Sequence, residues 1–400
     1  MTSGGIADDC QQMEEQPRIL FVTRNLPPLV GGMERLNWHM AEELGHEYQV
    51  RIIGPKGALA LAPKSVEVSE VPLKPLWRFL VGCSFRAAIF ALRWRPDLVL
   101  AGSGLTAPIA WFAAWICCAR TAVYVHGLDL AVNNLVYRWL WLPFIRRMDV
   151  VIANSGPTRE LALAVGVPAE KLQIVHPGAE LPTRRSVAEM ADFRLQNSLG
   201  SGPLLLSVGR LTQRKGMFEF VRDVLPQVAH NFPDVVLMVV GDAANDALAA
   251  NNQSRASIEA VAREAGVISN LRFLGRVSDD ELEQAFLAAS VHVFPVRELP
   301  GDPEGFGMVA IEAAAHGVPT VAFAVGGVVD AVLDGCTGIQ VAGGDVNGFV
   351  AAVNDILGNA CDDAWRTACI EAAKNFGWEH FGERINAVLS IRGGYAHDDK

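Results

Sequence analysis

The sequence predicts an α/β protein of two domains, each a parallel sheet wrapped by helices. Three observations carry that prediction. The chain has 400 residues, more than a single hydrophobic core usually serves. Short, continuous apolar runs alternate with helical patterns from Arg18 onward, which suits strands buried on both faces. The alternation breaks around residues 180–200, at Pro182, the Arg184-Arg185 pair and Gly200-Ser201-Gly202-Pro203, and then starts again.

Composition limits the function classes. Half of the residues are hydrophobic and 20% are charged, so each half can bury a proper core. A net charge of −10 argues against general nucleic-acid binding. The charge is uneven: residues 71–150 hold nine Lys and Arg against three acids. Seven scattered cysteines show no metal-ligand or C-x-x-C spacing, which reads as reduced, cytoplasmic usage. Residues 1–16 are polar and acidic and are expected to be disordered, with no signal peptide. Leu98 to Ala119 carries no Asp, Glu, Lys or Arg. Gly102-Ser103-Gly104 and Pro108 divide it into a strand and a short helix, with Cys117-Cys118 expected mid-helix. Spanning a bilayer takes about 20 residues, so this is a buried strand–helix unit.

In the first half, Arg18–Thr23 is a strand that leads through Pro27-Pro28 and Gly31-Gly32-Met33-Glu34 into a helix. Paired glycines at a strand–helix loop let the backbone approach a ligand and offer N–H groups, although a plain connection uses them too. Val50–Ile53 is the next strand. Pro72 to Pro96 reads as a basic helix with aromatic flanks, and Leu135 to Met148 repeats that composition. Such helices either lie on an anionic membrane face or are core helices with snorkelling arginines. Seven of the nine tryptophans fall before residue 150. Gly102-Ser103-Gly104-Leu105-Thr106-Ala107 matches G-x-G-x-x-A but lacks the expected acid about 20 residues on, so it reads as a tight turn. Strand Ala122–Val125 ends in His126-Gly127, where a crevice must lie, though a core histidine bonded to backbone fits as well. Asp149–Asn154 is a strand, Ser155 caps the next helix, and Gln173–His176 closes the half.

In the second half, strand Leu204–Val208 runs into Gly209-Arg210-Leu211-Thr212-Gln213-Arg214-Lys215-Gly216 and a helix to His230. Arg210 and Lys215 on a glycine-bearing turn suit phosphate, and equally a solvated basic loop. Strands follow at Val235–Val240, Leu271–Leu274, Val291–Phe294 and Pro319–Phe323. Between the last two lies Glu304-Gly305-Phe306-Gly307-Met308-Val309-Ala310-Ile311-Glu312. This is the turn and helix of a parallel crossover. It directs the free N–H groups of helix Met308 to Ala315 toward the crevice. Glu304 is expected at the crevice mouth and Glu312 about one helical turn down. Two carboxylates beside an anion site suit a ligand with both phosphate and hydroxyl groups, such as a sugar nucleotide. Gly326-Gly327 offers one more loop of close backbone approach, or a capping turn. The aromatic segment Phe376–Phe381 opens a last helix.

The pattern Glu304-x7-Glu312 with its internal Gly-Phe-Gly, together with Arg210 and Lys215 in G-R-x4-K-G, resembles the retaining glycosyltransferases of the GT-B fold, family 4. The resemblance spans about residues 18–391. It implies two Rossmann-like domains facing across a cleft: an acceptor domain at 17–182 and a nucleotide-sugar domain at 183–376. A C-terminal helix at 377–392 then packs back on the first domain, followed by a loose tail at 393–400. By the same resemblance Glu304 holds donor-sugar hydroxyls, Glu312 holds the ribose, and His126 bonds the sugar near the reacting carbon. Arg210 and Lys215 clamp the diphosphate. The amides of Gly31 and Gly32 face it, Gly305, Phe306, Gly307, Met308 and Val309 line the donor, and the loop at Val277 borders the base.

The activity so implied is transfer of a hexosyl group, with retention, from a nucleoside diphosphate sugar. No D-x-D pair occurs in the chain, so cationic side chains are expected to neutralise the diphosphate with no metal and no cofactor. Arg297 to Gly307 is similar to bacterial mannosyltransferases that build phosphatidylinositol mannosides or exported polysaccharides. GDP-mannose is thus the first expected donor and a UDP-hexose the second. A lipid-linked or saccharide acceptor is expected, at the inner face of the cell membrane. The alternatives are a soluble acceptor and a nucleotide-sugar epimerase.

Overall fold

A computed structural model of the chain describes residues 16–182, 187–243, 253–359 and 363–390, the side chains of 187–191 excepted. The start expected to be disordered, save residue 16, and the loose tail lie outside these residues.

The first sheet is built from β1 (Arg18–Val22), β2 (Gln49–Pro55), β3 (Val66–Val71), β4 (Leu98–Ala101), β5 (Arg120–Val125), β6 (Val150–Ala153) and β7 (Leu172–Ile174). All are parallel, in the order β3-β2-β1-β4-β5-β6-β7. The second sheet contains β8 (Leu204–Val208), β9 (Val236–Val240), β10 (Leu271–Gly275), β11 (Val291–Phe294), β12 (Thr320–Phe323) and β13 (Gly338–Val341). Its order is β10-β9-β8-β11-β12-β13, again parallel throughout. In each sheet the strand order reverses once, between β1 and β4 and between β8 and β11. Ligands of open α/β sheets bind at such switch points, beyond the carboxyl ends of the strands.

Central strands such as Leu-Val-Leu-Ala of β4 are wholly buried, because helices cover both faces of each sheet. On one face of the first sheet lie α1 (Gly32–Glu47) and the C-terminal helix Trp378–Leu389. On the other lie α2 (Leu76–Arg93) and α3 (Ala107–Cys117).

Two edge strands, β3 and β13, were not anticipated. The first, Val-Glu-Val-Ser-Glu-Val, is only half buried and reads polar, and the second is short and starts on glycine. Cys117 and Cys118 are not mid-helix: Cys117 ends α3 and Cys118 caps it with a left-handed φ of 58°. The expected aromatic stretch Leu135–Met148 is two short helices, Leu135–Leu140 and Leu142–Arg147. Pro143, which has no N–H to give the preceding turn, starts the second.

The chain passes from the first domain to the second at residues 177–182 and returns at 376–378. The two passages lie side by side, with Ala179 N–H donating to Phe376 carbonyl oxygen at 2.8 Å. The returning helix buries Trp378, Phe381, Ile385 and Leu389 in one core with Leu36, Met40 and Leu44 of α1. Phe381→Ala is therefore expected to destabilise the first domain by about 3–5 kcal/mol. The second domain should be left largely untouched, as read from two-domain denaturant unfolding curves.

Candidate active site

Loops from both switch points converge on one cleft. From β1 comes the segment ending at Gly31, which has no side-chain cap and leads into α1. A Cβ on Gly31 would stand 2.5 Å from Glu34 Oε2. Glu34 is buried there and accepts from Asn25 Nδ2 at 2.7 Å, which fixes the glycine loop. From β11 comes the loop that ends at Gly307, whose φ of 96° is left-handed and accessible to glycine without strain. The helix Met308–Ala315 starts directly after it, also without a side-chain cap. The two helix starts face each other: a Cβ on Gly32 would lie 3.4 Å from Met308 Sδ. Among the described residues none accepts from the N–H groups of Gly305, Phe306, Gly307, Met308 or Val309. Two positive helix ends with free donors thus open on the same space.

Glu304 is at the centre. It is buried, not exposed at the crevice mouth, with a relative exposure of 9%. Lys215 Nζ donates to its Oε2 at 2.8 Å, and the Arg214 guanidinium contacts the same oxygen. Arg214 Nε also stands 3.2 Å from Asp302 Oδ1. Burial alone would push the Glu304 carboxyl up, but Arg214 and Lys215 overcome it and hold it at about 2. Lys215 Nζ lies 4.5 Å over the Phe294 ring, an aromatic floor beneath the cation. Arg210 is exposed and adds its field to both partners. Arg214, which the sequence reading passed over in favour of Arg210, is the guanidinium that touches Glu304. Its adjacency to Lys215 was the available signal, but register on a one-turn helix, Gln213–Lys215, decides which side chain points inward.

His126 follows β5 and is buried. Its Nε2 donates to the Gly102 carbonyl oxygen at 2.9 Å, which in the neutral ring leaves Nδ1 as the acceptor. The Gly102 turn, discounted above as a fingerprint, is thus the seat of this ring. Gly305 of the second domain packs on His126: a Cβ there would lie 2.5 Å from the His126 carbonyl oxygen and 2.7 Å from Asn154 Nδ2. Ser155 Oγ donates to the Gly305 carbonyl oxygen at 2.7 Å, and Gly156 N–H donates to Asp330 Oδ2 at 2.6 Å. His176 Nε2 reaches the same Asp330 oxygen at 3.2 Å and its ring stacks on Phe306, which is buried. None of Asn154, Ser155 or Asp330 had been singled out for this contact.

Glu312 lies in the helix Met308–Ala315, buried, and contacts the Arg35 guanidinium of α1 across the cleft. Val309 packs on both cores of the second domain. Val277 stands beyond β10, half-buried against the second of those cores. Gly326 and Gly327 do not face the cleft: Gly327 N–H donates to the Glu304 carbonyl oxygen at 2.8 Å, and a Cβ on Gly327 would fall 2.0 Å from the Gly305 carbonyl oxygen. They buttress the Glu304 loop from behind.

One further surface adjoins the cleft. The helices α2, α3, Leu135–Leu140 and Leu142–Arg147 contain no acidic residue. They leave Phe85 at 70%, Trp115 at 71% and Trp139 at 78% exposure, beside exposed Arg78, Arg93, Arg138 and Arg147. Snorkelling core arginines do not account for tryptophans so exposed. Trp141 Nε1 donates to the Leu105 carbonyl oxygen at 2.9 Å, which joins this face to the turn that seats His126. No described helix is long and apolar enough to cross a membrane.

Comparison with known proteins agrees with this architecture. A family model described as glycosyl transferases group 1 matches residues 191–376, and one described as glycosyltransferase family 4 matches residues 30–181. A GDP-mannose-dependent alpha-(1-6)-phosphatidylinositol monomannoside mannosyltransferase of Mycolicibacterium smegmatis is 28% identical over 399 residues, covering 94% of this chain and 98% of that protein. A glycogen synthase of Mycobacterium tuberculosis is 28% identical over 405 residues, covering 90% and 92%. The crystal structure of Anabaena HepE in complex with UDP superposes with a TM-score of 0.75 at 19% identity, over 93% of this chain and 99% of that one.

The ion cluster makes a pH prediction. Glu304 has its carboxyl lowered from 4.5 to about 2 in the folded chain. Its stabilisation is therefore complete above pH 4.5 and is lost as the pH falls toward 2. Glu304→Gln should cost about 3–5 kcal/mol near neutral pH, because two largely buried cations lose their counter-charge. That deficit should shrink as urea unfolding is repeated at steps from pH 5 down toward 2.

Proposed function

The chain belongs to the GT-B glycosyltransferases of family 4, and on that premise we propose that it transfers a mannosyl group from GDP-mannose, with retention, to an acceptor carried by a membrane. A phosphoinositide or a polyprenyl-diphosphate-linked saccharide is such an acceptor. The observation that carries the membrane reading is the position of the exposed aromatic and basic face. It runs up to the Gly102–Leu105 turn under His126, so an acceptor anchored in a bilayer beneath that face reaches the sugar site. Each large apolar side chain inserted contributes about 1.5–3 kcal/mol and each basic residue near anionic lipid about 1 kcal/mol. The phosphatidylinositol mannoside relative, matched over nearly its whole length, supports the same donor and acceptor class.

In this reading the donor diphosphate enters between the helix starts at Gly31-Gly32 and Met308-Val309, with Arg210, Arg214 and Lys215 at its flank. The acceptor hydroxyl attacks the anomeric carbon from the face that the diphosphate leaves. The bond from that carbon to the β-phosphate oxygen breaks, and the acceptor proton passes to the departing oxygen. Negative charge grows on the diphosphate as this happens. Lys215 and the free amides are fixed in place beforehand, and preorganised donors of this kind are worth about 3 kcal/mol each; the exposed Arg210 adds its field. They supply the positive charge that a divalent ion supplies elsewhere, so transfer proceeds without added metal. His126 Nδ1 and Glu304 accept from sugar hydroxyls and hold the ring for same-face attack.

A second reading, a soluble saccharide acceptor, is supported by the glycogen synthase relative, equal in identity; the UDP-hexose donor that goes with it is the second donor expected from the sequence. An epimerase reading requires no acceptor at all. A panel of GDP- and UDP-sugars scored by thermal stabilisation separates the donors. Transfer of labelled mannose to vesicles containing phosphatidylinositol, with EDTA present, then tests the acceptor and the metal. GDP-mannose should stabilise most and should label the lipid. Lys215→Ala should lower turnover by about 100-fold or more. Trp115→Ser with Trp139→Ser should release the protein from anionic vesicles and leave GDP-induced stabilisation unchanged. Equal vesicle binding by that double variant would remove the membrane from the proposal.

A further inference from the structure

The contact between Arg35 and Glu312 belongs neither to the Glu304 cluster nor to the seat of His126. Arg35 lies in the first turn of α1, in the first domain, and Glu312 lies in the second turn of helix Met308–Ala315, in the second domain. One guanidinium nitrogen of Arg35 meets Glu312 Oε1. The other carboxylate oxygen, Oε2, takes no hydrogen bond among the described residues. The two side chains differ in setting: that of Arg35 is 36% exposed and that of Glu312 only 9%. A carboxylate so placed needs a counter-charge. Burial pushes the Glu312 carboxyl up, Asp279 and Glu180 push it the same way, and Arg35 is the cation that opposes them. Among the described residues no cation of the second domain contacts Glu312. The first domain supplies one.

We propose that Arg35 is a positioning residue for the donor: it holds one oxygen of Glu312 so that the other accepts from the ribose hydroxyls, and ribose recognition is assembled only when both domains meet. This rests on reading Glu312 as the group that holds the ribose. A sugar nucleotide bound to an opened second domain finds Glu312 without its partner and is held more weakly through the ribose. Closing the cleft supplies Arg35 from α1, close to the Gly31-Gly32 amides that face the diphosphate. One helix start thus brings both the phosphate donors and the ribose organiser.

The opposite role is a lock, in which Arg35 occupies Glu312 and must leave before ribose binds. Calorimetric titration with GDP and 2′,3′-dideoxy-GDP, and with UDP and its dideoxy analogue, separates the two. For the tighter base, the wild type is expected to prefer the ribose form by roughly tenfold or more, the effect of hydrogen bonds to a charged acceptor. Arg35→Ala should lose most of that preference while binding the dideoxy nucleotide as the wild type does. Arg35→Lys should restore part of it. A loss through misfolding would weaken both nucleotides alike. Arg35→Ala that keeps the full ribose preference, or binds the ribose form more tightly, would overturn the proposal, the latter in favour of the lock. Glu312→Gln is the separate control. If it keeps the ribose preference, the assignment of Glu312 to the ribose fails by itself, whatever Arg35 does.

Discussion

The buried carboxylate of Glu304 is the constraint on which the cleft depends. A carboxylate at that depth is tolerable only with cations against it, and Lys215 and Arg214 are brought there by the turn after β8. The loops after β8 and β11 are adjacent because those strands flank the switch point of the sheet. Topology thus places a basic turn next to an acidic one, and their pairing shapes both. Lys215 is pulled toward its neutral form by burial and held charged by Glu304. The buried cation and the buried carboxylate thus keep each other ionised.

Around that pair the backbone is packed too closely for side chains. Gly305 lies between His126 and Gly327, one in each domain, and a Cβ on either glycine would fall on a carbonyl oxygen. Close approach aligns the free N–H groups of residues 305–309 along one wall. The glycines of the Glu304 segment therefore have separate reasons: contact across the cleft at Gly305, and a left-handed turn at Gly307 that starts the helix.

Much of this was legible in the residues. The central strands announced themselves as unbroken apolar runs, and the helix Met308–Ala315 was bounded correctly because a glycine precedes it and His316-Gly317 follows. β3 and β13 escaped, since one-sided burial leaves β3 alternating, and β13, Gly-Ile-Gln-Val, is interrupted by polar Gln340 and is buried only at its ends. Side-chain pairing across the cleft was not legible either. That Arg35 meets Glu312, 277 residues away, or that Asp330 caps the helix start at Gly156, follows from how two separately folded sheets are apposed, and no local pattern encodes that. Arg214 shows a finer limit. Three basic residues lie within six positions, and only the path of the turn selects which faces the carboxylate.

The two sides of the interface between the domains are built differently, and that difference bears on how a donor enters. On the hinge side the chain crosses twice, the crossings are bonded to each other, and the returning helix is sunk in the first domain's core. On the cleft side the domains meet through the stack of His176 on Phe306, the packing of Met308 on the first domain's core and a few polar contacts: Ser155 to Gly305, Gly156 and His176 to Asp330, and Arg35 to Glu312. The neutral bond from Ser155 contributes about 0.5–1.5 kcal/mol net and those to the carboxylates about 1.5–3 kcal/mol, because water replaces each on opening. The apolar hinge has no such replacement, since its opening exposes Trp378 and Phe381. Parting the domains at the cleft therefore costs less than parting them at the hinge. Closure restores those contacts, and two of them, at Gly305 and Glu312, fall on the one segment that follows Glu304, so the glycine turn and the helix after it are tied to the first domain at both ends.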